Sequence, residues 1–195
     1  AFIQPKLNGV RCIARMTENG PEYISRKGKK YTTLGHLDEA VEKLICKIGH
    51  PLDGEIFHPE WGFQEIIRVV KKDRGEATDE LQYWVYDVVD TNTNFENRIS
   101  ALSEEIMLGA GYFKPGENIK IDNVVLVPTI GVKSEQELMI EHRKFSRSFE
   151  GTIIRNKKGK YVIKNRSKDL QKCKNFQDSE YEITGGFSAE GNDSG

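Results

Sequence analysis

The sequence is poor in the residues that build a covalent or metal-held framework. Of 195 residues only three are cysteine (Cys12, Cys46 and Cys173), an odd number without close spacing. They indicate no disulfide scaffold and no zinc site, so a reducing intracellular compartment, cytoplasmic or nuclear, is the expectation. The four histidines, His36, His50, His58 and His142, are scattered and form no ligand pattern either. No apolar run approaches the ~20 residues that span a bilayer, and Ala1-Phe2-Ile3 is no signal peptide. No membrane partner is expected. A surplus of one charge is also missing: 29 Lys and Arg stand against 30 Asp and Glu, a formal net charge of −1. Bulk charge alone points to no polyanion.

What is present is 37% hydrophobic and 30% charged residues of both signs, which suits a globular domain with a real core. The charge is unevenly placed. From Arg155 to Lys174 nine cations (Arg155, Lys157, Lys158, Lys160, Lys164, Arg166, Lys168, Lys172 and Lys174) face one acid, Asp169. They are interleaved with Tyr161, Val162, Ile163 and Leu170, unlike a solvated tail. Such a stripe fits phosphates or a nucleic-acid backbone.

Alternation from Val10 to Met16 predicts a half-buried strand, and Glu18-Asn19-Gly20-Pro21 a turn into a return strand over Glu22 to Arg26. Leu37, Ala40, Val41, Leu44, Ile45 and Ile48 follow helical spacing and stop at Gly49. Leu52 to Phe57 reads as a strand, Phe63 to Lys72 as a helix with Phe63, Ile66, Ile67 and Val70 inward. The aromatic, β-branched run Leu81 to Val89 predicts a central strand, followed by a helix over Phe95 to Leu108. Val124 to Ile130 is expected as a strand restricted by Pro128. Ser134-Glu135-Gln136-Glu137 is a capping box that opens a helix towards Ser146. Phe149 to Arg155 and Lys160 to Lys164 are expected to pair as a hairpin, and Glu180 to Thr184 to begin a last strand. Helices mixed irregularly with hairpins imply α+β.

The chemistry-bearing stretches begin with Gln4-Pro5-Lys6-Leu7-Asn8-Gly9-Val10-Arg11. A lysine amine set among other cations serves as a nucleophile. Gly9 allows close backbone approach, and Arg11 offers a fork for phosphate oxygens. Asp53-Gly54-Glu55 places two carboxylates on one face of a strand. Tyr86-Asp87 offers a ring for a base to stack on, Glu150-Gly151 a carboxylate for a metal or ribose, and Lys172-Cys173-Lys174 two cations on one side of an extended segment.

Lys6-Leu7-Asn8-Gly9-Val10-Arg11, Ser25-Arg26-Lys27-Gly28, Leu52-Asp53-Gly54-Glu55, Tyr86-Asp87-Val88, Phe149-Glu150-Gly151 and Leu170-Gln171-Lys172-Cys173-Lys174 stand in one order. That order resembles the motifs of covalent nucleotidyltransferases, and together they resemble the ATP-dependent DNA ligases, nearest the compact phage and viral forms. The resemblance implies an ATP-grasp-like α+β domain of antiparallel sheets flanked by helices, with the nucleotide in a central cleft. It implies that Lys6 forms lysyl-AMP from ATP with Mg2+ or Mn2+. Arg11 and Glu55 would contact ribose or phosphate, Arg26 the AMP or a 5′-phosphate, and Tyr86 the adenine. Lys172 and Lys174 would hold the α-phosphate, Glu150 (with Glu55) a metal, and Gln4 an adenine edge. Lys164, Arg166 and Lys168 would meet the backbone of nicked duplex DNA. A monomer sealing nicks in replication, repair or recombination is the expectation.

Asn8 stands where the family usually has aspartate, keeping an acceptor oxygen but losing the charge. Residues 1–178 are expected to form the adenylating domain. Residues 179–195 are expected to be a tail or the start of a truncated oligonucleotide-binding domain. Weak self-adenylation is then expected of this piece alone. An RNA ligase shares the same lysyl-AMP chemistry and is the nearest rival. A capping guanylyltransferase more often shows Asp-Gly where Glu150-Gly151 stands, and NAD-dependent ligases need an upstream domain. A catalytically dead nucleotide- or nucleic-acid-binding module is the rival from another class.

Overall fold

The computed structural model describes residues 1–110, 118–165 and 167–174. The expected last strand, Glu180 to Thr184, and the 179–195 segment lie outside the described residues. In chain order the elements are β1 (Phe2–Pro5), β2 (Val10–Thr17), β3 (Gly20–Ser25), β4 (Lys30–Tyr31), α1 (Asp38–Ile48), β5 (Leu52–Phe57), α2 (Phe63–Lys71), α3 (Glu76–Asp79) and β6 (Gln82–Val88). They continue with α4 (Phe95–Ala110), β7 (Lys120–Ile121), β8 (Val124–Leu126), β9 (Ile130–Gly131), α5 (Glu135–Phe145), β10 (Gly151–Arg155) and β11 (Leu170–Lys174). The strands form two sheets, ordered β11-β10-β1-β9 and β4-β3-β2-β5-β6-β8-β7. Every pairing is antiparallel except β6 with β8.

The larger sheet carries the core. Cys12 and Ala14 of β2 point inward while Arg11 and Arg15 are exposed, as the alternation predicts. The buried face of α1 (Ala40, Val41, Leu44, Ile45) joins Leu52, Ile56, Tyr83 and Val85 in one apolar cluster. That helix ends at Gly49, whose φ of 76° suits glycine and whose N–H donates to Ile45 O at 2.8 Å. Half of the capping box forms: Ser134 Oγ accepts from the N–H of Glu137, and the returning bond goes one residue further back. Glu137 in turn accepts from the N–H of Lys133.

Three expectations are corrected. Phe63 is 38% exposed; α2 instead buries Ile66, Val69 and Val70, because only a three-residue stripe of this short helix meets the sheet. The run Val124 to Ile130 is two strands in different sheets. Pro128, which lacks an N–H, breaks the ladder there, and β8 stays in the larger sheet while β9 joins the smaller. Finally, β10 pairs with β11 and not with Lys160–Lys164, which makes only an isolated bridge from Lys160 to Asn94. The β10 ladder is satisfied by Leu170–Lys174, so the intervening segment is free to cross the molecule.

Candidate active site

The chain passes from β1 in the smaller sheet to β2 in the larger through Lys6-Leu7-Asn8-Gly9, and the site is built on this passage. Backbone bonds fix its first residue: Lys6 N–H donates to Gly151 O at 2.9 Å, and Glu150 N–H donates to Lys6 O at 3.2 Å. At the other end Gly9 N–H donates to Glu55 Oε2 at 3.0 Å. A Cβ on Gly9 would lie 2.5 Å from Ile56 O, so only glycine fits this approach. Asn8 is exposed.

Side chains converge here from distant stretches of sequence. Lys6 Nζ pairs with one oxygen of Glu150 and Lys174 Nζ with the other. Phe149 sets the position of that carboxylate. Its ring lies 6.3 Å from Phe57 and 6.1 Å from Trp84 of the larger sheet, and 6.3 Å from Phe145 of α5. The register Gln4↔Ile153↔Lys172 puts Lys172, and with it Lys174, on the sheet face opposite Cys173. Cys173 packs towards α5, with Sγ 3.8 Å from His142 Nε2. The lysine pair therefore faces away from α5. Burial alone would raise the Glu150 carboxyl, but Lys174 and Lys6 outweigh it and hold it below its usual range. Burial pushes Glu55 up to about 7, against the pull of the Gly9 N–H and of Lys6.

A second cluster lies deeper. Asp53, 3% exposed, accepts from Arg11 Nε at 3.0 Å and Nη2 at 2.8 Å, from Tyr86 OH at 3.1 Å and from Tyr161 OH at 2.8 Å. Burial works against the Arg11 charge, but Asp53 outweighs it and holds the guanidinium charged. Tyr86 is delivered by a bulge: the register steps from Asp53↔Asp87 to Gly54↔Val85, leaving Tyr86 as the extra residue of β6. Beneath it Asp87 accepts from Arg98 Nε at 2.7 Å and from Arg155 Nη1 at 2.7 Å. Arg155 Nε donates to Gln4 Oε1 at 2.8 Å, and its guanidinium lies 5.4 Å from the Tyr86 ring centre. These bonds tie β6 and α4 of one half to β1 and β10 of the other.

The structure thus gathers Lys6, Glu55, Glu150 and Lys174 at the passage, sets Lys172 on the same sheet face as Lys174, and sets Arg11 and Tyr86 beside it. Arg26 is exposed just past Ser25, the residue paired with Cys12, and so ends its strand next to Arg11. Lys164 and Lys168 are exposed on the segment between β10 and β11, whereas Arg166 lies outside the described residues. Gln4 is corrected. It is 1% exposed and its amide is fully used, Nε2 donating to Thr129 Oγ1 at 2.8 Å and to Tyr86 O at 3.2 Å. Its side chain holds the floor of the site and is not presented to an adenine edge. Sequence reading missed Asp53, Asp87, Arg98, Arg155 and Tyr161 as a network. The one usable signal was the Asp53-x-Glu55 spacing.

Among the described residues no three His, Cys, Asp or Glu side chains gather to hold a metal. Glu150, expected with Glu55 to hold a metal, has both carboxylate oxygens taken by Lys6 and Lys174, and Glu55 accepts from the Gly9 N–H. No described helix is long and apolar enough to cross a membrane.

Comparison with known proteins agrees with this geometry. A family model described as the ATP dependent DNA ligase domain matches residues 1–174. A DNA ligase of Haemophilus influenzae is 24% identical over 203 residues, which cover 94% of this chain and 71% of that protein. A Lig E DNA ligase structure superposes with a TM-score of 0.73 at 18% identity, covering 97% of this chain and 68% of that one. The Chlorella virus DNA ligase-adenylate gives 0.68 at 21% identity, with 89% of this chain and 60% of that chain covered. The bacteriophage T7 ATP-dependent DNA ligase, in complex with ATP, gives 0.67 at 17% identity, with 89% and 61% covered. The chain thus spans about three fifths of the two viral ligases. With a family match running from the first residue through Lys174, the last lysine of the site, this chain belongs to the ATP-dependent DNA ligase domain family.

Proposed function

We propose that this chain carries out the lysine-adenylation chemistry of a DNA ligase. The observation that carries the reading is the convergence of Lys6, Glu150 and Lys174 at the passage between the sheets, with Glu55 beside them. Lys6 Nζ, once it has shed its proton, attacks the α-phosphorus of ATP. An N–P bond forms, the bond from the α-phosphorus to the bridging oxygen breaks, pyrophosphate leaves with that electron pair, and the lysine nitrogen gives both its first proton and the one left after attack to solvent. Lys172 and Lys174 balance the charge that develops on the α-phosphate. Glu150, relieved of its lysine partners as the phosphates take them up, would hold a divalent cation. When bound, such an ion neutralises phosphate charge.

In the steps that follow, AMP passes to the 5′-phosphate of a nick, and the 3′-hydroxyl displaces AMP to close the strand. The exposed lysines of the β10–β11 segment supply backbone contacts without reading sequence. The test is mass spectrometry of the protein after incubation with ATP and magnesium. An AMP-sized adduct on Lys6 that pyrophosphate removes, and that Lys6→Ala lacks, is the expected result. A wild-type chain that gains no adduct overturns the reading. Nicked DNA offered beside nicked RNA separates the two ligase classes.

A further inference from the structure

The segment between β10 and β11 is more than a carrier of lysines. Phe95 N–H and Arg98 Nη1 donate to Gly159 O at 2.9 and 3.3 Å, and Glu96 N–H donates to Lys157 O at 3.0 Å. Residues 156–165 are thereby drawn from the smaller sheet across the start of α4 towards the larger one. There Tyr161 closes a triangle. Its hydroxyl donates to Asp53 Oδ2 at 2.8 Å and accepts from Arg11 Nη2 at 3.2 Å, while that same Nη2 donates to Asp53 Oδ2 at 2.8 Å. The Arg98 guanidinium lies 5.7 Å from the Tyr161 ring centre. On either side of Tyr161 the segment exposes Lys160, Val162, Ile163 and Lys164.

The two ends of the Arg11–Asp53 pair differ in access. The Arg11 side chain is 41% exposed and the Asp53 side chain 5%. A phosphate can therefore draw Arg11 towards itself, whereas nothing from solvent can replace Arg11 at Asp53. A buried carboxylate that loses a donor leans harder on those that remain, because leaving it unsatisfied is costly. Those donors are the hydroxyls of Tyr86, already inside the larger sheet, and of Tyr161, which arrives on the cationic segment.

We propose that Tyr161 is a positioning residue that couples phosphate binding at Arg11 to DNA binding by segment 156–165. Nucleotide in the site strengthens the Tyr161–Asp53 bond, fixes the segment and presents Lys160 and Lys164 to the duplex backbone. The coupling is positive, opposite in sign to the repulsion between two polyanions, and by linkage it is reciprocal. It rests on the reading that ATP occupies this site.

The test is anisotropy titration of a fluorescent nicked duplex, with and without an ATP analogue whose α–β bridging oxygen is methylene. The proteins compared are wild type, Tyr161→Phe and Lys164→Gln. The analogue should tighten wild-type DNA binding at least about 5-fold, the lower end of ordinary site-to-site coupling. Tyr161→Phe, which keeps the ring over Arg98, should bring that factor to about 1. Lys164→Gln should weaken DNA binding more with the analogue than without it, and so bring the factor part of the way to 1. No tightening in the wild type overturns the proposal. So does a Tyr161→Phe protein that keeps the wild-type factor, or that weakens binding equally in both conditions. The Lys6 adduct with ATP is scored separately, so a protein that forms the adduct but shows no coupling loses this inference and keeps the adenylation chemistry.

Discussion

The carboxylates Asp87 and Glu150 each bridge two cations, yet they sit in opposite surroundings. Asp87, with a side chain 2% exposed, lies between Arg98 and Arg155, which are 3% and 10% exposed. Glu150 is 29% exposed, and its partners Lys6 and Lys174 are 15% and 46% exposed. The arginines are planar forks locked further by bonds to Thr93 O and Gln4. The lysines are point charges on flexible stems, which can trade a carboxylate for a phosphate. The inner bridge is built to stay, and the outer one can be exchanged.

That contrast is broken most severely at its inner end. Asp87→Ala strands two buried guanidinium groups, and unfolding in urea should show a loss of about 3–5 kcal/mol. Next comes Glu55, whose carboxyl is raised in the fold by burial. The folded protein holds a proton there that the unfolded chain releases, so stability falls as pH rises from the ordinary carboxylate range through about 7. Glu55→Gln should flatten that slope and be more stable than wild type to urea at pH 8, by an amount on the order of a few kcal/mol. At Glu150 stability and chemistry should part. Glu150→Gln should change the unfolding free energy in urea by less than about 1 kcal/mol, as partly exposed ion pairs do, while adduct formation with ATP drops by an order of magnitude or more. A loss of stability like that of Asp87→Ala would erase the distinction between the two bridges. The smallest effect belongs to Asn8→Asp. The residue is exposed, and Gly9 and the Lys6 backbone hold the loop without it. Stability should stay within about 0.5 kcal/mol and the rate of adduct formation within about twofold. A large gain in rate would show that the missing charge matters after all.

Sequence patterning revealed the elements that bury one face. The β2 alternation and the α1 stripe are written in side-chain periodicity and the central β6 in its aromatic and β-branched composition, and all three appear. Lys172-Cys173-Lys174 was legible as extended, but not its pairing with β10, because an edge strand with Gln171, Lys172 and Lys174 exposed buries too little to leave a clear pattern. Lys160–Lys164 was expected as the partner instead and makes only the isolated bridge to Asn94. In the site, Lys6, Glu55, Glu150 and Lys174 were each singled out motif by motif, and the fold sets them at one passage. The buried network was not, since Asp53, Asp87, Arg98, Arg155 and Tyr161 come from separate stretches and meet only through the register of two sheets. Gln4 shows the same blindness in reverse. Two residues before the lysine, it looked available, and the fold spends its amide on Thr129, Tyr86 and Arg155.

Among the described residues the strand order changes sheet twice, at Lys6–Gly9 and between Leu126 and Ile130. Between those two crossings the seam is riveted from inside: Arg155 of the smaller sheet reaches Asp87 of the larger, and Gln4 donates to Tyr86 O. Lys6 follows Gln4 by two residues, so its backbone stands at the edge of this seam. A group bonded to Lys6 would inherit an anchor set by buried bonds it never touches.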